Sequence, residues 1–411
     1  MPGRAMAASA VHHFAVSSAI RAGRPPSILV GVTHAHSCLL LTSRLRAFRE
    51  AGFRVTLVAS PGRLLAQTAA KEGLEAIAIP MRRTIAPLAD LISLLRLWRL
   101  LGRCRPDLVE FSTPKAGLLG SFAARLRGVP SRVYMLRGLR LETSKGLKRR
   151  ILVAAERLAA SCAHVVLCNS ESLRAEALAL GLAPREKLHL LGDGSSNGVD
   201  IDRFSPGPTD VRERMGVSRA APVIGFVGRL TRDKGVPELI EAFESILLAA
   251  PEARLLLVGW FDDSEDALQD EICARIQGHP RIHLTGFVGD PAPYYRAMDL
   301  MVLPTRREGF PNAVLEAAAS GVPVVTTFST GARDSVVPEV TGLLVAAGSA
   351  KAISEAALKL LANRECRLRM GEAARAWVTE HYLDERVLGL TSALYRSLLK
   401  RDIQVRRAPA Q

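Results

Sequence analysis

Aromatic side chains, cysteines and long apolar runs are all scarce in this 411-residue chain. Aromatic residues make up only 5% of it, which argues against a surface on which successive nucleic-acid bases stack. The six cysteines are scattered and form no C-x2-C pair, so they indicate reduced thiols rather than a disulfide framework or a zinc site. A membrane-spanning helix needs roughly 18 apolar residues in a row, and the most apolar stretch is interrupted by Asp90, Arg96 and Arg99.

Negative charge is scarce in the first half of the chain. Residues 1–200 contain 29 Lys and Arg against 13 Asp and Glu, a net charge of +16, whereas residues 201–411 contain 26 against 27. This asymmetry predicts an anionic partner for the first half: a membrane surface, a diphosphate-bearing acceptor or nucleic acid. A solubilising surface in an arginine-rich protein is the alternative.

Short apolar strands alternate with longer helical patterns along most of the chain, which is typical of βαβ units. Seven strand candidates precede a Gly- and Ser-rich segment at residues 192–200, and six follow it. The sequence therefore predicts an α/β protein of two Rossmann-like domains, each a doubly wound parallel sheet, facing a cleft. The predicted divisions are a disordered extension at 1–25 (with a targeting signal as the alternative), domains at 26–196 and 197–384, a last helix at 385–400 and a basic tail at 401–411.

Two glutamates, Glu308 and Glu316, flank the predicted start of a helix whose N-cap would be Asn312. Carboxylates accept hydrogen bonds from sugar hydroxyls, and the free N–H groups of a helix start attract phosphate. With Asn312 as the cap, the N–H groups of residues 313–315 would lie between the two carboxylates. The segment suits a sugar joined to a nucleotide through phosphate, with solvated surface charges as the alternative.

The segment V-G-R-L-T-R-D-K-G follows the first predicted strand of the second half. Gly228 allows the backbone to approach a ligand closely, Arg229 can bind phosphate bidentately, and Lys234 supplies a compact positive charge. These residues predict a diphosphate site at the carboxyl edge of the sheet. In the turn G-F-V-G-D-P, the backbone at Val288 could contact a nucleobase edge, although a plain turn explains that segment equally well.

Two acidic runs, D-I-D at residues 200–202 and D-D-S-E-D at residues 262–266, raise the question of a metal. The first falls in the predicted hinge between the domains, and the second is interpreted as a solvated loop. Because Arg229 and Lys234 are available to offset the charge of a leaving diphosphate, neither a metal nor another cofactor is expected.

Taken together, E-G-F-P-N-A-V-L-E-A, G-R-L-T-R-D-K-G, N-G-V-D and T-P-K-A-G-L-L-G resemble glycosyltransferase family 4. These are retaining nucleotide-sugar transferases of the GT-B architecture, and the likeness runs from about Ser27 to Leu399. Within the family it is similar to bacterial enzymes that extend lipid-linked sugars for capsule, exopolysaccharide or O-antigen. The resemblance implies a hexosyl- or N-acetylhexosaminyltransferase whose final helix crosses back onto the first domain.

The resemblance also implies roles for the donor residues. Glu308 would accept hydrogen bonds from the donor sugar and Glu316 from the ribose. Arg229 and Lys234 would neutralise the diphosphate leaving group. Backbone groups of one short segment would contact the sugar and the β-phosphate: Gly309, Phe310, Pro311 and Asn312.

The acceptor side departs from the family pattern. Many relatives carry a histidine after the fifth strand, where this chain has Arg137, so the role of that histidine cannot be carried over. The loop G-V-T-H-A-H-S replaces the usual paired glycines, and His34 or His36 is a candidate to lie near the transferred sugar, with a purely structural loop histidine as the alternative. We assign His34, Lys115 and Arg137 to the acceptor side, where Arg137 could bind an acceptor phosphate.

The segment beginning at Lys145, K-G-L-K-R-R-I-L-V, joins a basic cluster to an apolar helix face, as do helices that lie on anionic membranes; an ordinary helix with a solvated basic end is the alternative. The sequence thus predicts a cytoplasmic protein, peripheral at the inner face of the plasma membrane. Its expected partners are a nucleotide-sugar donor and a polyprenyl-diphosphate-linked or other glycan acceptor, and not nucleic acid. The rival functions are a nucleotide-sugar epimerase on the same fold and a non-enzymatic basic module that binds membrane or nucleic acid.

Overall fold

The computed structural model describes residues 24–218 and 220–405. Its strands form two groups that match the thirteen strands predicted from the sequence to within two residues at either end. The strands are β1 Ser27–Gly31, β2 Arg54–Ala59, β3 Glu75–Ala78, β4 Leu108–Ser112, β5 Ser131–Leu136, β6 Val165–Cys168, β7 Leu188–Leu190, β8 Val223–Val227, β9 Arg254–Val258, β10 Ile282–Leu284, β11 Leu300–Leu303, β12 Val324–Thr327 and β13 Gly342–Val345.

Two parallel sheets result, and they confirm the predicted pair of Rossmann-like domains. The first sheet has the order β3-β2-β1-β4-β5-β6-β7 and the second the order β10-β9-β8-β11-β12-β13. Neighbouring strands pair in parallel throughout both sheets. The strand order reverses next to β1 and next to β8, and ligands bind at the carboxyl edge of such switch points.

Helices cover both faces of the first sheet. In β1, Ile28 and Val30 belong to one buried cluster together with Tyr395, whereas Leu29 belongs to another cluster with Leu97. Successive side chains of a strand point to opposite faces, so this division shows that each face has its own core. The α-helices are Thr42–Glu50, Arg63–Glu72, Pro87–Cys104, Pro114–Leu126, Gly146–Cys162, Glu171–Ala179, Val211–Arg214, Val236–Ala249, Asp270–Gly278, Ala292–Tyr295, Asn312–Ala319, Ala350–Ala362, Arg364–His381 and Asp384–Val405.

One boundary of the predicted divisions changes in the structure. The last helix runs from Asp384 to Val405, so a tail beginning at residue 401 was wrong: the helix continues for five residues beyond the predicted boundary. The rest of the predicted tail, residues 406–411, and residues 1–23 of the predicted extension lie outside the described part of the chain. The division between the two domains near residue 197 stays a prediction.

A buried cluster of polar side chains fastens the last helix to the first domain, which confirms that this helix crosses back. The Arg44 guanidinium donates to the Glu110 carboxylate at 2.8 Å and to the Tyr395 hydroxyl at 3.0 Å. It also donates to the carbonyl oxygen of Ser196, at 2.8 Å, in the segment between the domains. Arg44, Glu110 and Tyr395 are completely buried, so one arginine joins a helix, a strand, the hinge and the crossing helix.

Glu156, on the helix Gly146–Cys162, makes folding of the first domain pH-dependent. Burial raises its pKa to about 7, although the hydrogen bond that it accepts from the Tyr134 hydroxyl (2.6 Å) opposes the rise. The unfolded chain releases this proton near pH ~4.3. The associated stability is therefore complete below that pH and is lost as the pH rises towards 7.

We expect Glu156→Gln, which still accepts the Tyr134 hydrogen bond, to melt at a higher temperature than the wild type at about pH 8 and at a similar temperature near pH ~4. Thermal denaturation across this pH range measures the difference. The exposed Glu186→Gln is the matched control and should track the wild type at every pH. A difference for Glu156→Gln that does not change with pH would contradict this account.

Candidate active site

A cleft of about 1210 Å³ lies between the two domains. Loops that follow β1, β4 and β5 line it from the first domain, and loops that follow β8, β9 and β11 line it from the second. These loops are at the carboxyl ends of the parallel strands, where the sequence predicted the ligand site. The cleft is large enough for a small-molecule substrate.

Lys234 and Glu308 form an ion pair in this cleft. Both side chains are mostly buried, with 18% and 12% of their surfaces exposed. The loop that carries Lys234 follows β8, and the loop that carries Glu308 follows the neighbouring strand β11. Backbone N–H of Arg306 donates to the Asp233 carbonyl at 2.8 Å and fixes one loop against the other. The predicted sugar-binding carboxylate and the predicted diphosphate-binding ammonium therefore occupy one location.

A second group of charged side chains, Asp233, Arg307 and Asp266, lies next to this ion pair. Asp233 is almost fully buried, and Arg307 bridges it to Asp266 at 2.8 and 3.0 Å. Burial alone would raise the pKa of Asp233, but the charges of Arg307 and Lys234 hold it below its ordinary value. Asp233 thus stays ionised beside Arg307 and Lys234.

Arg229 lies at the same end of the cleft, and its partner is Asp262. The guanidinium donates to the Asp262 carboxylate at 3.1 Å, and Arg83 approaches the other carboxylate oxygen at 3.5 Å from the first domain. Burial would raise the pKa of Asp262, but hydrogen bonds from Ser264 and the charge of Arg229 lower it to about 2. The interpretation of residues 262–266 as a solvated loop was wrong for Asp262, which is buried between two arginines.

The helix Asn312–Ala319 begins at the cleft, but its cap differs from the prediction. Pro311 is the N-cap, Asn312 is the first helical residue, and the N–H of Val314 donates to the Pro311 carbonyl at 3.1 Å. The expectation that Asn312 caps the helix and leaves the N–H of Val314 free was therefore wrong. Asn312 and Ala313 line the cleft, so the first turn still presents its positive end to a ligand.

The backbone beside this helix start is packed closely. Gly309 lies directly against the Arg137 carbonyl and Gly138 of the first domain, where an added Cβ would overlap them. The Phe310 side chain points away into the core, with its ring 5.2 Å from that of Tyr382. Phe310 and Pro311 therefore form part of the cleft wall, and the buried Phe310 ring attaches this loop to the core.

Gly228 lies in the cleft with φ = 149°, a backbone conformation that residues with a Cβ rarely adopt. The tight turn carries Arg229 out of β8 and into the cleft. Gly259, which follows β9, packs against the Gly228 carbonyl so closely that a side chain would not fit. Glycine is thus required at both positions for adjacent strands to end at the ligand site.

Two predicted donor residues, Glu316 and Val288, lie outside the lining of this cleft. Glu316 is one turn further along its helix and accepts a hydrogen bond from the buried Tyr295 hydroxyl at 2.7 Å. Burial raises the pKa of Glu316, although that hydrogen bond opposes the rise. Val288 packs against the core of the second domain.

All three predicted acceptor residues line the cleft, but Lys115 already has partners. Its ammonium donates to the Asp90 carboxylate at 2.5 Å and to the Thr84 carbonyl at 2.8 Å. His34 stacks on His36 with ring centroids 5.0 Å apart. Burial, followed by the charges of Arg83 and His36, lowers the pKa of His34, which favours the neutral imidazole.

Arg137, at the position of the family histidine, donates from Nη1 to the Ser196 hydroxyl at 3.0 Å. Burial and then the nearby charge of Arg44 lower its pKa to about 10. Its Nε and Nη2 atoms have no hydrogen-bond partner within residues 24–218 and 220–405. Arg137 therefore remains cationic at neutral pH, and the two nitrogens without partners are themselves buried.

Neither acidic run has the surroundings of a metal site. In the first run, the Asp200 carboxylate accepts hydrogen bonds from the backbone N–H groups of Asp202 and Arg203 at 3.1 and 2.9 Å. Within the described part of the chain, no three His, Cys, Asp or Glu side chains are grouped so that they could hold a metal ion.

None of the helices in residues 24–218 and 220–405 is both long enough and apolar enough to span a bilayer.

Comparisons with known proteins identify the family of this chain. Residues 221–363 match the family of Glycosyl transferases group 1, and residues 41–194 match the Glycosyl transferase 4-like domain. The chain is 36% identical to the capsular polysaccharide biosynthesis glycosyltransferase CapM of Staphylococcus aureus, over 90% of this chain and 96% of CapM. The chain belongs to the group 1, family 4-like glycosyltransferases.

Two further similarities concern a more distant relative and the fold. The glycosyltransferase is 30% identical, over 64% of its chain and 68% of the relative, to the UDP-Gal:α-D-GlcNAc-diphosphoundecaprenol α-1,3-galactosyltransferase of Escherichia coli. Its structure resembles that of Anabaena Alr3699/HepE in complex with UDP and glucose, with a TM-score of 0.75 at 20% identity, over 90% of this chain and 100% of HepE. This second likeness shows that the fold is GT-B.

The site of the glycosyltransferase also contains residues that the sequence did not point to. Trp260 stacks on His36 across the cleft at 6.0 Å and meets Phe287 edge-on at 5.4 Å. Asp262 and Arg307 were missed as well. Trp260 and Asp262 follow β9 by two and four residues, and Arg307 follows β11 by four, so their position just after a strand is the signal that could have found them.

The close approach of Gly309 to the first domain predicts a large effect of one methyl group. In Gly309→Ala the new Cβ overlaps the Arg137 backbone, and the domains have to separate near the site. A misplacement of about 1 Å can cost ~10²-fold in rate, and we expect a loss of this size in sugar transfer. Thermal stability should change little, because domain separation relieves the overlap.

Gly278→Ala is the matched control for this substitution. No atom lies within 4 Å of a Cβ added at Gly278, and its φ is unstrained, so its rate should equal that of the wild type. A normal transfer rate for Gly309→Ala would show that the contact with Arg137 is not needed for catalysis.

Proposed function

We propose that this glycosyltransferase is a retaining enzyme. It moves a sugar from a nucleotide-diphosphate donor to a polyprenyl-diphosphate-linked glycan at the cytoplasmic face of the inner membrane, in the synthesis of a surface polysaccharide. The observation that carries the proposal is the Lys234–Glu308 ion pair beside Arg229 and the start of the helix Asn312–Ala319. One end of the cleft thus combines cations for a diphosphate with a carboxylate for sugar hydroxyls.

In the proposed donor complex, the diphosphate contacts Lys234, Arg229 and the first turn of the helix. Arg229 is then shared between the phosphate and Asp262, which remains ionised because its pKa is about 2. Glu308 accepts hydrogen bonds from the sugar. Glu316 contacts the ribose with the oxygen that does not accept from Tyr295, and the turn at Val288 contacts the base; both of these assignments require the nucleoside to extend beyond the cleft lining.

In the proposed reaction, the bond between the anomeric carbon and the diphosphate oxygen breaks, and a bond from the acceptor hydroxyl to the same carbon forms on the same face. The acceptor proton passes to the departing phosphate oxygen. Because the new bond forms on the face that the diphosphate leaves, the configuration is retained without a protein nucleophile. Lys234 and Arg229 stabilise the negative charge that develops on the leaving diphosphate. Such preorganised electrostatic contacts are typically the largest contribution to catalysis.

Two observations support a lipid-linked acceptor. The galactosyltransferase of Escherichia coli that resembles this chain takes its name from a diphosphoundecaprenol acceptor, and CapM is named for capsular polysaccharide biosynthesis. In this chain, the excess positive charge is in the first domain. Arg137 lines the cleft and carries a positive charge, which is suited to an acceptor phosphate.

The proposal is tested by incubating the purified protein with radiolabelled UDP-, GDP- and ADP-sugars and an N-acetylglucosaminyl diphosphoundecaprenol acceptor. We expect label to enter the organic phase with one donor and only when the acceptor is present, and the anomeric coupling of the product to match the donor. Conversion of a donor sugar without any acceptor would instead favour an epimerase. A product of inverted configuration would overturn the retaining mechanism.

A further inference from the structure

We propose that the exposed apolar face of the helix Pro87–Cys104 docks on an anionic bilayer and holds the acceptor rim of the cleft at the lipid headgroups. The proposal rests on the proposed function, because a lipid-linked acceptor has to be reached at a membrane. It assigns the docking surface to a different helix from the segment at Lys145 that the sequence pointed to.

The apolar face is long and open. Leu88, Leu91, Ile92 and Leu95 are 81%, 53%, 50% and 43% exposed, and Ile85 just before the helix is 59% exposed. Their spacing of three and four residues places them on one side of the helix. The opposite side is buried through Ser93, Leu97 and Leu101. Single exposed leucines are ordinary, whereas a contiguous apolar stripe marks an interaction site.

Positive charge continues the same side of this helix. Arg96, Arg99 and Arg103 are exposed and follow Ile92 at steps of three or four residues. Apolar side chains in the first turns and arginines in the later turns are suited to a bilayer, whose interior is apolar and whose headgroups are anionic. A second copy of this chain fits less well. Antiparallel packing of two such helices would set the arginines of one copy against the leucines of the other, and parallel packing would bring the two sets of arginines together.

The neighbouring helices extend this surface. The helix Pro114–Leu126 packs between Pro87–Cys104 and Gly146–Cys162, so all three form one layer over the sheet. The last of them exposes Leu147 (72%) and Ile151 (44%). Lys148 in the predicted basic segment donates to Glu265 of the second domain at 2.7 Å. One positive charge of that segment is therefore paired with the second domain and does not face a membrane.

The docking helix begins at the edge of the cleft. Thr84, three residues before it, accepts a hydrogen bond from Lys115 at 2.8 Å, and Arg82, Arg83 and Thr84 all line the cleft. A bilayer against Leu88 and Leu91 would therefore lie beside the acceptor side of the site. A diphosphate at the membrane surface could then enter the cleft while its lipid chain stays in the bilayer.

Vesicle sedimentation tests the proposal. The wild type should bind vesicles of phosphatidylcholine with phosphatidylglycerol and bind pure phosphatidylcholine at least tenfold less. The double variant Leu88→Glu, Leu91→Glu should lose at least tenfold in binding to the mixed vesicles. Leu248→Glu is the matched control, since Leu248 is 87% exposed in the second domain, and it should bind as the wild type does.

A second variant separates charge from apolar contact and guards against misfolding. In Arg99→Gln, Arg103→Gln, binding should weaken by about fivefold for each arginine removed, with a smaller salt dependence. Stabilisation by nucleotide-diphosphate sugars should be unchanged in both double variants, which shows that the donor site is intact. If the wild type binds vesicles through this face but transfers no sugar to the lipid-linked acceptor, only the proposed function fails.

Two results would overturn the docking surface. One is vesicle binding that is equal in the wild type and in Leu88→Glu, Leu91→Glu. The other is a wild type that ignores vesicles but sediments as a dimer, with the same double variant sedimenting as a monomer. The second result would assign the apolar face to another copy of the chain.

Discussion

Replacing Lys234 with alanine is expected to lower the rate of sugar transfer by about 10²- to 10³-fold. Lys234 supplies the cation nearest to Glu308, and both lie where the loops after β8 and β11 meet. Under the proposed function, the charge that develops on the leaving diphosphate would then lose one of the cations that stabilise it. The loss should appear in kcat as well as in kcat/KM, because the contact strengthens as the bond to the diphosphate breaks.

Glu308→Gln is expected to reduce transfer by a similar factor, since it removes the charge that pairs with Lys234 and replaces one acceptor oxygen with an NH2 donor. The double variant should be little slower than either single variant, because two residues that act as a unit do not give additive effects. Steady-state transfer rates for the three variants measure this. Additive losses would show that the ion pair is not one functional unit.

The control for both substitutions is an ion pair outside the cleft. Lys359 pairs with Glu339 at 2.8 Å, with both side chains more than half exposed, and Lys359→Ala should leave the rate unchanged. If Lys234→Ala transfers sugar as fast as Lys359→Ala does, the assignment of the diphosphate site is wrong.

Arg44→Met is expected to lower the free energy of unfolding by about 3–5 kcal/mol, the usual cost of removing one partner from a buried ion pair. The substitution leaves the Glu110 carboxylate buried without its cation, and it removes the contacts to Tyr395 and to the Ser196 carbonyl. Urea unfolding monitored by circular dichroism measures the change. The last helix should also become easier to cleave by protease, because Tyr395 is one of its attachments to the first domain.

Two comparisons make this prediction specific. Adding Glu110→Leu and Tyr395→Phe to Arg44→Met should recover most of the stability, since no buried charge then lacks a partner. Arg275→Ala breaks an exposed pair with Glu244 and should cost less than ~1 kcal/mol. If Arg44→Met costs no more than Arg275→Ala, the cluster does not hold the crossing helix.

The fold could be predicted because its pattern is local. The strands are short apolar runs bounded by Gly, Pro or charged residues, and the inner strands of both sheets are buried on both faces. The helix Arg63–Glu72 gives no clear helical pattern in the sequence, because it buries only Leu65, Thr68 and Glu72, too few large apolar side chains for a clear period. The short helices Val211–Arg214 and Ala292–Tyr295 have one turn each and therefore give no periodic signal.

The candidate site could be predicted only in part, because the sequence does not say how side chains from separate loops pair. Lys234 and Glu308 were both identified, but their ion pair depends on which strands are neighbours. Asp262 was taken as solvated because the run D-D-S-E-D is polar, whereas Arg83 and Arg229 enclose it from two domains. The hydrogen bond from the Tyr295 hydroxyl to Glu316 likewise depends on contacts between different helices.

The proposed function depends most directly on where the donor diphosphate binds, and nucleotide binding by the wild type and by Lys234→Ala tests this. A ligand at about 100 times its dissociation constant adds ~2.7 kcal/mol of stability, so UDP, GDP and ADP can be compared by thermal shift. We predict that at least one of them stabilises the wild type and that Lys234→Ala loses most of that shift, measured against the melting temperature of the variant without nucleotide. No shift with any of the three nucleotides, or the same shift in both proteins, would contradict the account.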